Sequence, residues 1–361
     1  MIVAVIGAGG FIGTRLVEMF HLQGLHTVVP IVRRPSGLAL PARFALEGRV
    51  GDALSVPSLS AALAGCDAVV HTALGDPRQI EAMPAVLCAA AAAAGISRVV
   101  YLSSASVHGQ APEPGTNEDT PLHCRHAMDY NNAKVRAERA FFAGCARHGL
   151  EGFALRPGVV FGPRSRWISD LASDLRLHRA WLLGAGDGIC NSLYVDNLVA
   201  AIDLALAAPA DAAGAYLVGD AEHITWSDLY HRVAAALGIA PATIHRLAVA
   251  PDFPRNPREH VARLVASRGV QAFLPAVPAR LKQMTKQFIA VCTTPAPDGA
   301  GWRRAVAPAP RLTQELALLQ QCRWQLPSDR AIQRLNYSAA VDFSTAIRRS
   351  LAWLAFAEGH S

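Results

Sequence analysis

The chain has 361 residues, of which 52% are hydrophobic, and its formal net charge is +6. This length and apolar content allow a large core, which excludes an intrinsically disordered protein and predicts one large α/β domain or a domain with a smaller partner. The charge is modest and no dense Lys/Arg block occurs, so the composition favours anionic small molecules and argues against nucleic-acid binding.

Seven cysteines are scattered along the chain, without C-x-x-C spacing. This pattern predicts reduced thiols in the cytoplasm and neither a disulfide framework nor a zinc site. The run HCRH (123–126) contains potential metal ligands. We interpret it as a polar loop and expect no metal. No signal peptide precedes the first predicted strand, and no stretch reaches the ~18 uncharged apolar residues that a spanning helix needs.

A short apolar strand at the start of the chain leads into the glycine-rich turn GAGGFIG (7–13) and then into a helical pattern. Strand, glycine turn and helix form the context of a dinucleotide-binding site. Gly7 permits the tight turn, Gly10 lets the backbone approach a pyrophosphate, and Gly13 lets the helix pack against the strand. The helix N-terminus offers free N–H groups to the phosphates, at Phe11 and Ile12.

The second predicted strand (26–32) ends in Arg33 and Arg34. An acidic residue at this place would bind the ribose 2′-hydroxyl of NAD, whereas an arginine accommodates the 2′-phosphate of NADP. Two solvated loop arginines are the alternative interpretation. We therefore expect NADP(H) as the preferred coenzyme, with NAD(H) possible.

Further along, predicted strands and helices alternate, which indicates a doubly wound parallel sheet of the Rossmann type. We predict this α/β coenzyme-binding domain over 1–163, with returning elements near 191–224, and a smaller, discontinuous substrate-binding cap over 164–361, in which 240–325 has no clear period. The predicted strands lie at 48–52, 67–74, 97–104, 151–163 and 215–219, and the predicted helices at 59–65, 80–94, 127–140, 191–207, 225–238 and 326–354.

Six segments in this order resemble the extended short-chain dehydrogenases/reductases, the group with the NAD(P)-dependent epimerase/dehydratase and 3β-hydroxysteroid dehydrogenase branches. The resemblance spans residues 1 to about 238 and returns near 326–354. The segments are GAGGFIG, DAVVHTAL (67–74), YLSSASVHG (101–109), YNNAK (130–134), LRPGVVFGP (155–163) and LYVDNLVAAI (193–202).

The resemblance implies that Ser104, Tyr130 and Lys134 form a catalytic triad. Tyr130 and Lys134 stand one turn apart and share a helix face. An ammonium ~5 Å from the phenol stabilises the phenolate by roughly 3 kcal/mol, about two pKa units, so we expect a lowered pKa for Tyr130. Ser104 would polarise the substrate carbonyl, and Lys134 would also hold the nicotinamide ribose.

Further residues are assigned to the coenzyme or the substrate from their positions at predicted strand ends and in these motifs. His108 stands where relatives usually have Tyr. The serines after the fifth strand continue as Ala105 and Ser106 and not as the Thr-Asp-Glu run of the 4,6-dehydratase branch, so a dehydratase is disfavoured. The added coenzyme residues are Asp52, Ala53, Thr72, Ala73, Leu74, Pro157 and Val160, and the candidate substrate residues are Ser106, His108, Arg164 and Asn191.

Three functions are compatible with these features. The first is NAD(P)-dependent oxidation or reduction of a secondary alcohol or ketone, the second is nucleotide-sugar 4-epimerisation with tightly bound NAD, and the third is a catalytically silent NADP-sensing protein. A diphosphate needs cations, and these basic residues of the cap would either supply them or form a solvated face: Arg255, Arg258, Arg263, Arg280, Lys282, Arg303 and Arg304.

Residues 260–292 mix basic and bulky apolar side chains, which is compatible with binding to a membrane surface. We prefer a substrate lid or a dimer contact for this segment. The family often dimerises through a four-helix contact that includes the Tyr/Lys helix, so the resemblance implies a homodimer.

Overall fold

The computed structural model describes residues 1–253 and 309–359. Met1–Ala250 and Pro310–Ser361 together form one compact unit. The segment 260–292 and the basic residues predicted to lie in the cap fall outside the described residues. The predicted division of the chain at residue 163 stays a prediction.

The central sheet has seven strands in the order β10-β6-β5-β4-β1-β2-β3, and all its neighbouring strands are parallel. Two further pairs, β7 with β9 and β8 with β11, lie outside it. The strands are β1 (Ile2–Ile6), β2 (Thr27–Val32), β3 (Arg49–Val50), β4 (Ala68–His71), β5 (Arg98–Leu102), β6 (Glu151–Pro157), β7 (Val159–Phe161), β8 (Trp181–Leu183), β9 (Ser192–Tyr194), β10 (Gly214–Val218) and β11 (His245–Leu247).

Helices cover both faces of this sheet, which confirms the doubly wound α/β fold. Successive residues of a strand point to opposite faces, and β1 shows this directly. Val3 and Val5 belong to one hydrophobic cluster, whereas Ala4 and Ile6 belong to another. The helices of the described residues are α1 (Phe11–Leu22), α2 (Val56–Leu63), α3 (Pro77–Ala93), α4 (Asp129–His148), α5 (Arg166–Arg176), α6 (Val195–Ala207), α7 (Trp226–Ala236), α8 (Gln314–Leu319), α9 (Asp329–Leu335) and α10 (Phe343–Ala357).

A third hydrophobic cluster joins α5, α7 and α10 beyond the sheet. It buries Ile168, Leu171 and Leu175 of α5. The helical spacing of these three residues is the sequence signal for α5. Neither α5 nor β8 was among the predicted elements. The predicted helix 191–207 also starts differently, because its first residues form β9 before α6 begins. No helix within residues 1–253 and 309–359 is long and apolar enough to cross a bilayer.

Candidate active site

The glycine turn lies where β1 and β4 end side by side, at the carboxyl edge of the sheet. Gly7 has φ of 85°, and a Cβ on it would lie 2.7 Å from the backbone nitrogen of Ala73. A Cβ on Gly13 would lie 2.2 Å from the carbonyl oxygen of Gly7. Both positions therefore require glycine for packing. At Gly10 such a Cβ would lie 3.3 Å from the carbonyl oxygen of Gly7, a tighter contact than most side chains make, so a small residue is favoured there too.

This turn fits the pyrophosphate of a dinucleotide. Gly10 is the N-cap of α1 and provides no side-chain hydrogen bond, so the first N–H groups of the helix, at Phe11 and Ile12, are available to an anion. The side chain of Thr72 donates to the carbonyl of Ile6 at 2.8 Å and fixes the neighbouring loop. Ala73 and Leu74 continue this loop, and Leu74 is exposed.

Beyond the glycine turn lies the segment that follows β2. Arg33 and Arg34 are exposed there, and neither has an ion pair with any residue of 1–253 or 309–359. A Cβ on Gly9 would lie 2.8 Å from the carbonyl oxygen of Gly37, so this segment packs directly against the turn. Asp52, after β3, accepts a hydrogen bond from the N–H of Leu54 at 3.0 Å, and the neighbouring Ala53 packs against the core.

The two serines after β5 have different surroundings. Ser103 is buried, donates to Oε2 of Glu138 at 2.6 Å, and does not line the large pocket that Ser104 faces. Ser104 lines a large pocket and accepts a hydrogen bond from the N–H of Ser106 at 3.2 Å. Its side chain also hydrogen-bonds the phenol of Tyr130. Ser104, and not Ser103, is thus the hydroxyl that faces this pocket.

Tyr130 and Lys134 share the face of α4 that meets the end of β5. The ammonium of Lys134 donates to the carbonyl of Leu102 at 2.9 Å and lies 5.9 Å from the ring centroid of Tyr130. Lys134 is buried, which lowers its pKa to about 8. The structure therefore brings Ser104, Tyr130 and Lys134 together at one strand end.

The expected lowering of the Tyr130 pKa is not what the structure shows. Burial raises the pKa of Tyr130 to about 12, only partly offset by the hydrogen bond from Ser104, and the charge of Glu315 raises it further. Desolvation of a phenolate outweighs a favourable charge when the counterion is itself buried and bonded elsewhere. Here the ammonium of Lys134 is bonded to a backbone carbonyl. The phenol is accordingly protonated at neutral pH.

Ser104 and Tyr130 face a pocket of about 650 Å³. Helices α5, α7 and α8 form its far wall, with the loop after β5 and the end of β6 opposite. Pro157 is part of this wall, whereas Val160 packs into the hydrophobic clusters. The hydrophobic and aromatic lining includes Leu74, Met128, Val159, Trp167, Leu171, Ile189, Trp226, Leu229, Tyr230, Leu316, Leu319 and Leu326.

Of the predicted substrate residues, the structure brings two to this pocket. Ser106 lines it, and so does Asn191, whose amide also holds the backbone of Trp324 at 3.0 Å. His108 instead accepts a hydrogen bond from Arg156 at 3.1 Å, and its burial lowers its pKa to about 4. Arg164 follows β7 with φ of 73° and does not line the pocket.

A buried ion pair fastens the Tyr/Lys helix to the sheet and was not predicted. Glu138 of α4 accepts from Nη2 of Arg156 at 2.5 Å and from Nε at 3.0 Å. The sequence signal for Glu138 is its position four residues after Lys134, on the same face.

The pocket also contains three acidic side chains that sequence reasoning missed. Asp170 and Asp174 lie on α5, and Glu315 lies on α8. Two guanidinium groups accompany them. Arg166 pairs with Asp170 at 3.5 Å, and Arg311 pairs with Asp174 at 3.7 Å. No cluster of three or more potential metal ligands occurs among the described residues.

Together, a parallel sheet with a glycine turn at the switch point and a Ser/Tyr/Lys arrangement beside a pocket define a nicotinamide-dependent α/β enzyme. The model of the NAD dependent epimerase/dehydratase family matches residues 3–219. The chain belongs to this family. The proteins to which it is similar include dehydrogenases, reductases, epimerases and dehydratases.

Individual relatives support this placement. A 2-alkyl-3-oxoalkanoate reductase from Shewanella oneidensis is 28% identical over 66% of this chain and 67% of its own length. A 3 beta-hydroxysteroid dehydrogenase/Delta 5-->4-isomerase from Mycobacterium tuberculosis is 32% identical over 65% of this chain and 69% of its own. The solved dTDP-glucose 4,6-dehydratase DesIV from Streptomyces venezuelae, with NAD bound, shares the fold, with a TM-score of 0.69 and 19% identity over 99% of this chain and 98% of its own.

Proposed function

We propose that this enzyme transfers a hydride between NADP(H) and the carbon of a largely apolar ketone or secondary alcohol, with Ser104, Tyr130 and Lys134 as its catalytic residues. The observation that carries the proposal is the convergence of Ser104 and Tyr130 on a mostly hydrophobic pocket of about 650 Å³. Relatives named as reductases and dehydrogenases support the same reaction class.

The side chains suit the reduction of a carbonyl. The hydroxyls of Ser104 and Tyr130 would both bind the carbonyl oxygen, which polarises the carbonyl bond. When bound, the reduced nicotinamide supplies the hydride. Tyr130 donates the proton that the oxygen needs, and its raised pKa keeps it protonated for this purpose. The ammonium of Lys134, 5.9 Å from the ring, stabilises the phenolate that remains.

NADP(H) is favoured over NAD(H) by the segment after β2. Arg33 and Arg34 are exposed beside the glycine turn and carry no ion pair within the described part of the chain. Two cations at this place suit the 2′-phosphate of NADP. An acidic residue, which would suit the free hydroxyls of NAD, is absent from this strand end.

The alternative is a nucleotide-sugar 4-epimerase with tightly held NAD. A nucleotide diphosphate needs cations that are free to bind it. Among the described lining residues there are only two cations, Arg166 and Arg311, against three carboxylates. This excess of negative charge disfavours a diphosphate and favours the reductase. A denatured sample of purified protein should therefore release no stoichiometric NAD, and one NAD per chain would favour the epimerase.

Tyr130→Phe tests the catalytic assignment. Loss of the proton donor should lower kcat by about a hundredfold to ten-thousandfold, followed as NADPH consumption with aryl alkyl ketones, while the dissociation constant of NADPH stays nearly unchanged. Tyr337→Phe is the matched control, because its hydroxyl donates to Gly219 at 3.0 Å and it lies outside the pocket. Turnover retained by Tyr130→Phe would remove Tyr130 from this role.

A further inference from the structure

Glu315 occupies a fixed position in the pocket. It lies in the first turn of α8, whose N-cap Thr313 accepts a hydrogen bond from the N–H of Leu316 at 3.3 Å. The helix is followed by the buried Gln320, whose side chain accepts from the N–H of Leu183 at 2.7 Å. Leu316, like Glu315, lines the pocket. The backbone around Glu315 is therefore held by other contacts and leaves its carboxylate directed to the ligand space.

The carboxylate of Glu315 has few donors. Within the described residues its one hydrogen bond comes from Nε2 of Gln110 at 3.5 Å, which is the long limit for such a bond. The other two acids of the pocket, Asp170 and Asp174, each have an arginine. A partly buried carboxylate with one weak donor is costly unless another donor reaches it. Burial accordingly raises the pKa of Glu315, although the charge of Arg166 opposes the rise.

Glu315 also shares its pocket with Ser104 and Tyr130. Its charge acts on the phenol of Tyr130. A ligand of this pocket can therefore contact Glu315 while its carbonyl oxygen binds Ser104 and Tyr130. The described lining has one carboxylate more than it has guanidinium groups, so it suits a neutral donor or a cation better than an anion.

We propose that Glu315 is a specificity residue that binds a hydrogen-bond donor of the substrate, a hydroxyl or a protonated amine, close to the carbonyl group. This inference rests on the proposed function, because it takes the ligand of the pocket to be a ketone. It adds a polar requirement to an otherwise apolar substrate. A partly buried acceptor of this kind disfavours the analogue that lacks the donor, since the carboxylate then keeps only the weak hydrogen bond from Gln110.

The test compares ligands that differ only in the donor. Aryl alkyl ketones of two chain lengths would end in a methyl group, a hydroxyl or a primary amine. Binding to the full-length protein with NADP⁺ would be followed by tryptophan fluorescence, since Trp167 and Trp226 line the pocket. Turnover would be followed with NADPH. The variants are Glu315→Gln and, as matched control, Glu47→Gln, whose side chain is 76% exposed and pairs with Arg49.

We expect the wild type and Glu47→Gln to bind a hydroxyl or amine ligand about tenfold or more tightly than its methyl counterpart, and Glu315→Gln to lose most of this preference. The hydroxyl and amine series show which donor is preferred. The inference is overturned if the wild type does not distinguish the ligands, or if Glu315→Gln keeps the preference. Selective binding without turnover would contradict ketone reduction but not the role of Glu315, because the binding measurement does not depend on chemistry.

Discussion

Lys134 is buried, and the cost of burying its charge can be separated from its function. Burial lowers its pKa from 10.5 to about 8, which corresponds to roughly 3 kcal/mol at neutral pH. Lys134→Met removes this cost and loses the hydrogen bond to Leu102, about 1 kcal/mol. We expect this variant to be more stable than the wild type in urea at pH 7, while its turnover falls about a hundredfold or more.

The stability difference between Lys134→Met and the wild type should depend on pH. Below a pH of about 8 the folded chain carries the full cost of the buried ammonium of Lys134. Between about 8 and 10.5 the folded state has released the proton and the unfolded state still holds it, so the stability of the wild type rises with pH. The advantage of Lys134→Met should shrink over this interval. A variant less stable than the wild type at pH 7 would show instead that Lys134 serves packing.

Single residues differ in how far the sequence predicts them. The spacing of Tyr130 and Lys134 places them on one helix face, because helical periodicity is local. The choice of Ser104 over Ser103 follows from its motif, and the hydrogen bonds agree. The pKa of Tyr130 depends on burial and on Glu315, which are set by packing of distant segments. No local pattern could have predicted its rise.

The position of α4 depends on a buried ion pair, and this contact can be tested. Glu138 pairs with Arg156 at 2.5 Å, and both side chains are about 5% exposed or less. Glu138→Gln leaves the guanidinium buried without its counter-charge, and we expect a loss of about 3–5 kcal/mol in the free energy of unfolding by urea. Glu47→Gln breaks an exposed pair and should cost less than about 1 kcal/mol. Equal losses would refute the role of Glu138.

The sequence predicts whole elements best where a strand is buried on both faces of the sheet. Apart from the short β3 (Arg49–Val50), the strands of the central sheet contain short apolar runs, so their order along the chain could be read directly. The wall of the pocket could not, because α5, α7 and α8 come from separate parts of the chain and meet only in the folded protein. His108 illustrates the same limit. Its motif position suggested substrate contact, but Arg156 holds it away from the pocket.

At the scale of the whole molecule, coenzyme binding and folding are linked. A ligand that binds only the folded state, at a hundred times its dissociation constant, adds about 2.7 kcal/mol to the free energy of unfolding. Because Arg33 and Arg34 are exposed beside the glycine turn, we expect NADPH to raise the melting temperature of the full-length protein more than NADH does at equal concentration.

The double variant Arg33→Ser/Arg34→Ser should lose most of the shift caused by NADPH and keep the smaller shift caused by NADH, because only the 2′-phosphate loses its cations. Arg232→Ser, at an exposed position of α7, removes a positive charge from elsewhere on the surface and should change neither shift. This control separates a local contact from a general effect of net charge. A wild-type shift that is larger with NADH, or a double variant that responds fully to NADPH, would contradict the assignment of NADP(H).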